Sequence, residues 1–293
     1  LISIIPILMI NQKTNVTSAT IKYFLVQVIA SIIIILIVII FINKSLNLSI
    51  NLNNEIILIA MAIKSGIPPF HFWLPQVIER NEIVQSIIIL SWQKIAPFML
   101  LSYCVCEFLS LLIVMSSIIG GLGGLNQKSI KKILTYSSII HGSWLIFSMF
   151  NKQIIWLMYF LIYNISLVII CLIILNFSFV KIEDIIGLRN FNLVKTIFLV
   201  NILSIGGLPP FIGFFAKLIV IINMIISTKL IIILIIIIMI SLTSLYYYIK
   251  ISYTRFMIFE KKMNQKISYN KNSILLTIIL SINVITPILV YLI

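Results

Sequence analysis

Three lysines, Lys64, Lys94 and Lys217, stand inside long apolar runs where packing alone would never select a charge. An ionisable residue at the centre of a membrane helix costs roughly 2.5 to 3.5 kcal/mol on insertion scales, so three together cost something near ~10 kcal/mol. A lysine ammonium, unlike a guanidinium, can release its proton when desolvated. Lysines spaced through an apolar interior, with polar side chains and water between them, would therefore make a lateral proton wire. Two of the three accompany nearly identical pentapeptides, Gly66-Ile67-Pro68-Pro69-Phe70 and Gly207-Leu208-Pro209-Pro210-Phe211. Consecutive prolines remove backbone donors and clash with the preceding turn, so a helix must open at each into two halves. Non-helical backbone at membrane depth is tolerated only where protein or water surrounds it. A broken helix repeated in corresponding places is the sequence sign of a transporter built from two related halves, with ion sites at the breaks. Two unrelated proline kinks are the competing reading.

Lys94 is near the midplane of the run 83–103, and Lys64 follows Glu55 by nine residues, about 13 Å into the membrane. Snorkelling to an interface competes with the relay reading, more for Lys64 and Lys217 than for Lys94. His141, nine residues past Lys132 and so about 13 Å deep, is a fourth relay candidate. An intramembrane histidine serves equally well as a helix-to-helix hydrogen-bonding residue. The three cysteines, Cys104, Cys106 and Cys171, form no C-x-x-C pair and have no histidine at a metal-ligand spacing. They read as packing thiols, and the expectation is no metal, no cofactor and no redox centre in this chain.

The elements that must hold these residues are membrane helices. With 61% hydrophobic and 10% charged residues and a mean hydropathy of +1.22, the chain lacks the polar side chains to cover a soluble globule of 293 residues. A bilayer core about 30 Å thick needs roughly 20 apolar residues per helix. Apolar runs of that order cover 1–10, 21–42, 55–78, 83–103, 108–125, 130–150, 154–179, 193–226, 230–253 and 273–293. Runs 55–78 and 193–226 carry the breaks. The expectation is an all-α polytopic protein of about ten transmembrane segments. The opening run, short and without an initiator Met, reads as the tail of a truncated helix, and it lacks the basic start and cleavage site of a signal peptide.

Charge sorts by connection. Odd connections and their flanks hold fifteen basic residues, among them Lys22, Arg80, Lys128, Lys131, Lys132 and the stretch from Lys261 to Lys271, while even ones hold Lys44, Lys152 and Lys229. Positive residues are retained on the inner side of a membrane, so the odd connections define that side. The same bias accounts for the net charge of +14 without any nucleic-acid partner. Of the 21 Lys and Arg residues, the three that belong to neither side are the three intramembrane lysines.

Motifs then fall in a recognisable order: Lys64-Ser-Gly-Ile-Pro-Pro-Phe-His71-Phe-Trp73-Leu-Pro75, Trp92-Gln93-Lys94-Ile-Ala-Pro97, Asn126-Gln127 running into Lys131-Lys132-Ile-Leu-Thr-Tyr-Ser137-Ser138, and Gly207-Leu-Pro-Pro-Phe-Ile-Gly213-Phe-Phe-Ala-Lys217. Together they resemble the mitochondrial NADH dehydrogenase subunit 2 family, antiporter-like subunits of respiratory complex I. The resemblance covers essentially the whole chain, and the abundance of Ile, Asn, Lys, Tyr and Phe resembles the product of an A+T-rich mitochondrial genome, as in insects.

The resemblance implies two inverted repeats of five helices, each with a proline-broken helix. The first, truncated at its N-terminus, would span 1–103, the second 107–256, with a terminal helix at 273–293. Lys64 and Lys217 become the lysines of the two broken helices and Lys94 the central lysine between them, while His71, Trp73 and Pro75 are given a structural role. The family carries a glutamate ahead of Leu1, as the expected partner of Lys64. The implied function is proton translocation within NADH:ubiquinone oxidoreductase of the mitochondrial inner membrane, beside other membrane-arm subunits, with FMN, iron–sulfur clusters and quinone on other chains. Two alternatives are a stand-alone or Mrp-type cation/proton antiporter subunit and a purely structural membrane subunit.

Overall fold

The structure, a computed structural model, describes residues 14–43, 50–104, 107–150, 153–177, 192–225 and 230–257. Among them are eleven helices and no strand, as expected where lipid offers no partner for an unpaired backbone group. In order they are α1 (Thr14–Asn43), α2 (Ile50–Ser65), α3 (Trp73–Arg80), α4 (Ile83–Leu90), α5 (Trp92–Tyr103), α6 (Phe108–Leu125), α7 (Ile130–Met149), α8 (Gln153–Phe177), α9 (Asn192–Gly206), α10 (Ile212–Ile225) and α11 (Ile231–Met257). Five stretches are long and apolar enough to cross a membrane: Thr17–Ile39, Ile83–Tyr103, Phe108–Leu125, Ile154–Asn176 and Ile231–Ser252. Of the other expected segments, two are the broken runs and one is α7. The runs 1–10 and 273–293, Cys106 and the stretch from Lys261 to Lys271 lie outside the described residues.

The run 83–103 is not one regular helix. Ser91 separates α4 from α5 with φ −109° and ψ −72°. Pro97 sits inside α5, where it offers no N–H and crowds the carbonyl of the preceding turn. Lys94 lies between these two irregularities and bonds through its own N–H to the Ser91 carbonyl at 3.3 Å.

Helix α7 is the centre of the bundle and packs against α3, α5, α6, α8, α10 and α11. Every residue from Ser137 to Met149 is buried, including Ser137, Ser138, His141, Ser143 and Ser148. The hydroxyls of those serines each bond a carbonyl three residues back on the helix. Helix α6 reaches α7 and α11 closely because it presents glycine to both. A Cβ on Gly123 would overlap the Tyr136 ring of α7, and one on Gly121 would stand 2.5 Å from Ile240 Cγ2 of α11, the close helix contact that small residues permit in membranes.

The outer surface is apolar. Ile21, Phe24, Leu25, Ile32 and Ile35 of α1 and Ile232, Ile235 and Met239 of α11 are exposed, as a lipid-facing layer would be. Polar contacts gather at one end of the bundle. There Lys22 donates to Gln76 Oε1 at 2.8 Å, Arg80 to Ser18 and Lys131 to the Asn81 carbonyl, and Lys132 pairs with Glu79 at 2.8 Å. Four basic residues assigned from sequence to one side are thus tied together across α1, α3 and α7.

Candidate functional site

Both Gly-x-Pro-Pro-Phe segments end a helix in the same way. At the first, the N–H of Gly66 bonds the Ile63 carbonyl and that of Ile67 the Ala62 carbonyl, at 3.4 and 3.0 Å. At the second, Gly207 bonds Ser204 at 3.0 Å and Leu208 bonds Leu203 at 3.3 Å. Each is a Schellman termination, which needs a left-handed residue just past the helix. Gly66 and Gly207 supply it with φ of 71° and 83°. The prolines that follow are held in turns closed by Phe70 N–H to Ile67 and Phe211 N–H to Leu208, both 3.0 Å. The Pro68–Pro69 bond is cis.

Beyond the turns the breaks diverge. After the second, α10 resumes at Ile212 and doubles back so tightly that a Cβ on Gly213 would overlap the Ser204 carbonyl oxygen. This return brings the Lys217 ammonium onto the Gly206 carbonyl at 2.8 Å, at the C-terminal end of α9 where unpaired carbonyls favour a cation. Lys217 is buried, and its nitrogen also lies 5.9 Å from the centre of the Trp144 ring. After the first break, helix resumes only at Trp73, whose indole N–H closes the gap by donating to the Ile63 carbonyl at 3.2 Å. Lys64 precedes this break and is half-buried. Its carbonyl accepts from Gln27 at 3.2 Å, and among the described residues its ammonium makes no hydrogen bond or ion pair.

Lys94 and His141 complete the second site. The buried Lys94 ammonium donates to the Ser138 carbonyl of α7 at 3.2 Å. One turn on, the His141 ring stacks on Tyr163, with centroids 4.5 Å apart, and its Nδ1 meets the Tyr159 hydroxyl at 2.8 Å. The ring lies close enough to Lys217 and Lys94 for both their charges to bear on it. Three of the four expected relay residues are therefore neighbours around α7, while Lys64 stands apart at the other break. Among the described residues no cluster of His, Cys, Asp or Glu could hold a metal ion, and Cys171 is a buried free thiol.

The family model described as NADH:quinone oxidoreductase/Mrp antiporter, TM, matches residues 1–244. NADH-ubiquinone oxidoreductase chain 2 of Anopheles gambiae is 39% identical over 292 residues, covering 98% of this chain and 85% of the mosquito chain. The Aedes aegypti chain of the same name is 41% identical over 294 residues, with the same two shares. The chain belongs to the NADH-ubiquinone oxidoreductase chain 2 family. Among solved structures it is similar to a chain of respiratory complex I from Thermus thermophilus with bound aureothin, at 25% identity and a TM-score of 0.78, covering 88% of this chain and 64% of the bacterial one.

Sequence reasoning missed the aromatic partners of the histidine. Tyr159 and Tyr163 sit four apart on α8, one turn of helix, and so present their polar tips to one neighbour. That spacing in an apolar run was the available signal. The acceptors of Lys94 and Lys217 are main-chain carbonyls, which no side-chain pattern reveals.

Proposed function

We infer that the chain is a proton-translocating membrane-arm subunit of respiratory complex I, working in an enzyme whose NADH oxidation and quinone reduction occur on other subunits. The FMN, iron–sulfur clusters and quinone belong to those subunits, and the other membrane-arm chains are its partners. The names of the relatives and the Thermus neighbour support this reading. The observation that carries it is a buried imidazole on α7, with a hydroxyl on its Nδ1, set between two buried ammonium groups on the same helix's flanks, Lys94 at the Ser138 carbonyl and Lys217 over the Trp144 ring. Lysine and imidazole exchange protons readily near neutrality, and an apolar surround keeps that proton from leaking to water. Lys94, His141 and Lys217 form the relay, with Lys64, just before the first break, as the terminal group, and Gly66, Pro68, Pro69, Gly207, Pro209 and Pro210 make the openings around it.

The architecture that goes with this function is ten spans in two inverted repeats within the mitochondrial inner membrane. The end carrying Lys22, Arg80, Lys131 and Lys132 faces the matrix. Immunocapture of the chain from mild-detergent extracts is the test: NADH:ubiquinone oxidoreductase activity should come down with it. Capture of the chain free of that activity, in a preparation that exchanges cations for protons, would favour the Mrp-type reading, with which the fold is shared.

A further inference from the structure

Three tyrosine hydroxyls next to the relay lack an explanation. Tyr163 of α8 and Tyr247 and Tyr248 of α11 are buried, and among the described residues none of their hydroxyls finds a hydrogen-bond partner of acceptable geometry. A buried phenol without a partner is destabilising if it stays dry. The three are not scattered. Tyr163 stands beside Ser138, and Tyr248 beside Ser137 and Tyr247. The rings of Tyr247 and Tyr248 meet edge-on with centroids 4.7 Å apart.

Their neighbours fit water. The Ser137 and Ser138 hydroxyls have spent their protons on the Leu134 and Thr135 carbonyls, at 2.8 and 2.7 Å. Each keeps lone pairs that can accept from a water, while a phenol can donate to that water. Two to four such partners are what a buried water needs.

Position gives the cluster a direction. Ser137 lies six residues beyond Lys131 on α7, about 9 Å along the helix, and His141 about 15 Å. Tyr247 packs its ring on Gly124, at the Lys131 end of α6, and Tyr248 packs on Gly206, whose carbonyl holds Lys217. The hydroxyls therefore stand between the basic end of the bundle and the His141–Lys217 pair.

We propose that Tyr163, Tyr247 and Tyr248, with Ser137 and Ser138, hold ordered water as a proton entry route from the Lys131 end of the bundle to His141. The proposal rests on the relay function above, and the test separates the two. In the assembled complex, the double variant Tyr163→Phe, Tyr248→Phe keeps the rings and removes two hydroxyls. Protons moved per NADH should fall, whereas Tyr246→Phe, one residue away on the exposed face, should match the parent. If Lys94→Met lowers the ratio and the double tyrosine variant does not, the entry route is wrong and the relay stands. If Lys94→Met also pumps at the parental ratio, the relay itself fails. Water-resolving electron cryo-microscopy of the parental complex decides independently of how the variants assemble. Water bonded to at least two of the three hydroxyls supports the route, and a dry cluster whose hydroxyls bond protein atoms overturns it.

Discussion

The two Gly-x-Pro-Pro-Phe breaks use one termination to opposite ends. At both, a glycine with positive φ closes a Schellman motif and two prolines prevent the helix from continuing. At the first, the lysine lies two residues before the glycine, and its ammonium has no partner among the described residues. At the second, it lies ten residues after the glycine and folds back onto the carbonyl that the break has freed. The pentapeptide therefore supplies the opening, and the residues on its C-terminal side decide how that opening is filled. Position 213 is glycine, which lets α10 return against α9. The matching position of the first break is Phe72, which is exposed, and helix there restarts later.

The largest effect should come from breaking that return. Gly213→Ala would drive a methyl into the Ser204 carbonyl, where neither backbone can yield without losing the α9–α10 contact. We expect a loss of about 3 kcal/mol or more, read as little or no chain in the assembled complex. Phe72→Ala should assemble at the parental level.

Next come the two terminating glycines. Alanine at either must hold a left-handed backbone at about 1 to 2 kcal/mol, so Gly66→Ala and Gly207→Ala should lower thermal stability alike. They should differ in function. A Cβ on Gly207 would lie 2.8 Å from the Lys217 ammonium, whereas one on Gly66 meets only Trp73 and Leu74, at 3.3 and 3.4 Å. Proton pumping by the assembled complex should fall with Gly207→Ala and hold with Gly66→Ala. Equal pumping by the two would mean that the Lys217 contact does not matter.

The smallest effect concerns the indole that closes the first break. Trp73→Phe keeps most of the ring and removes the bond to the Ile63 carbonyl, a loss of about 1 kcal/mol that a thermal melt of the complex would register.

The same division separates the features legible in the sequence from those that were not. Proline pairs and glycines reveal where a helix must stop, because the reason is local and covalent. The intramembrane lysines stand out because apolar runs leave them no other excuse. The fold-back at Gly213 was invisible, since it depends on how two half-helices cross. The Ser91 irregularity was missed because the apolar pattern runs through it. Helix α7 shows the limit of hydropathy most clearly. It is buried along almost its whole length yet is not among the helices apolar enough to count as spans, because protein rather than lipid surrounds it and polar residues such as Ser138 and His141 find partners there.

The central claim is that Lys94, His141 and Lys217 act as one proton-carrying array. Lys94→Met fills a similar volume and removes the ammonium from the Ser138 carbonyl, so assembly should survive. Protons moved per NADH oxidised, measured on the reconstituted complex, test the claim most directly. The account predicts a clear loss of pumping in a complex present at normal amount; an assembled variant that pumps at the parental ratio would contradict it.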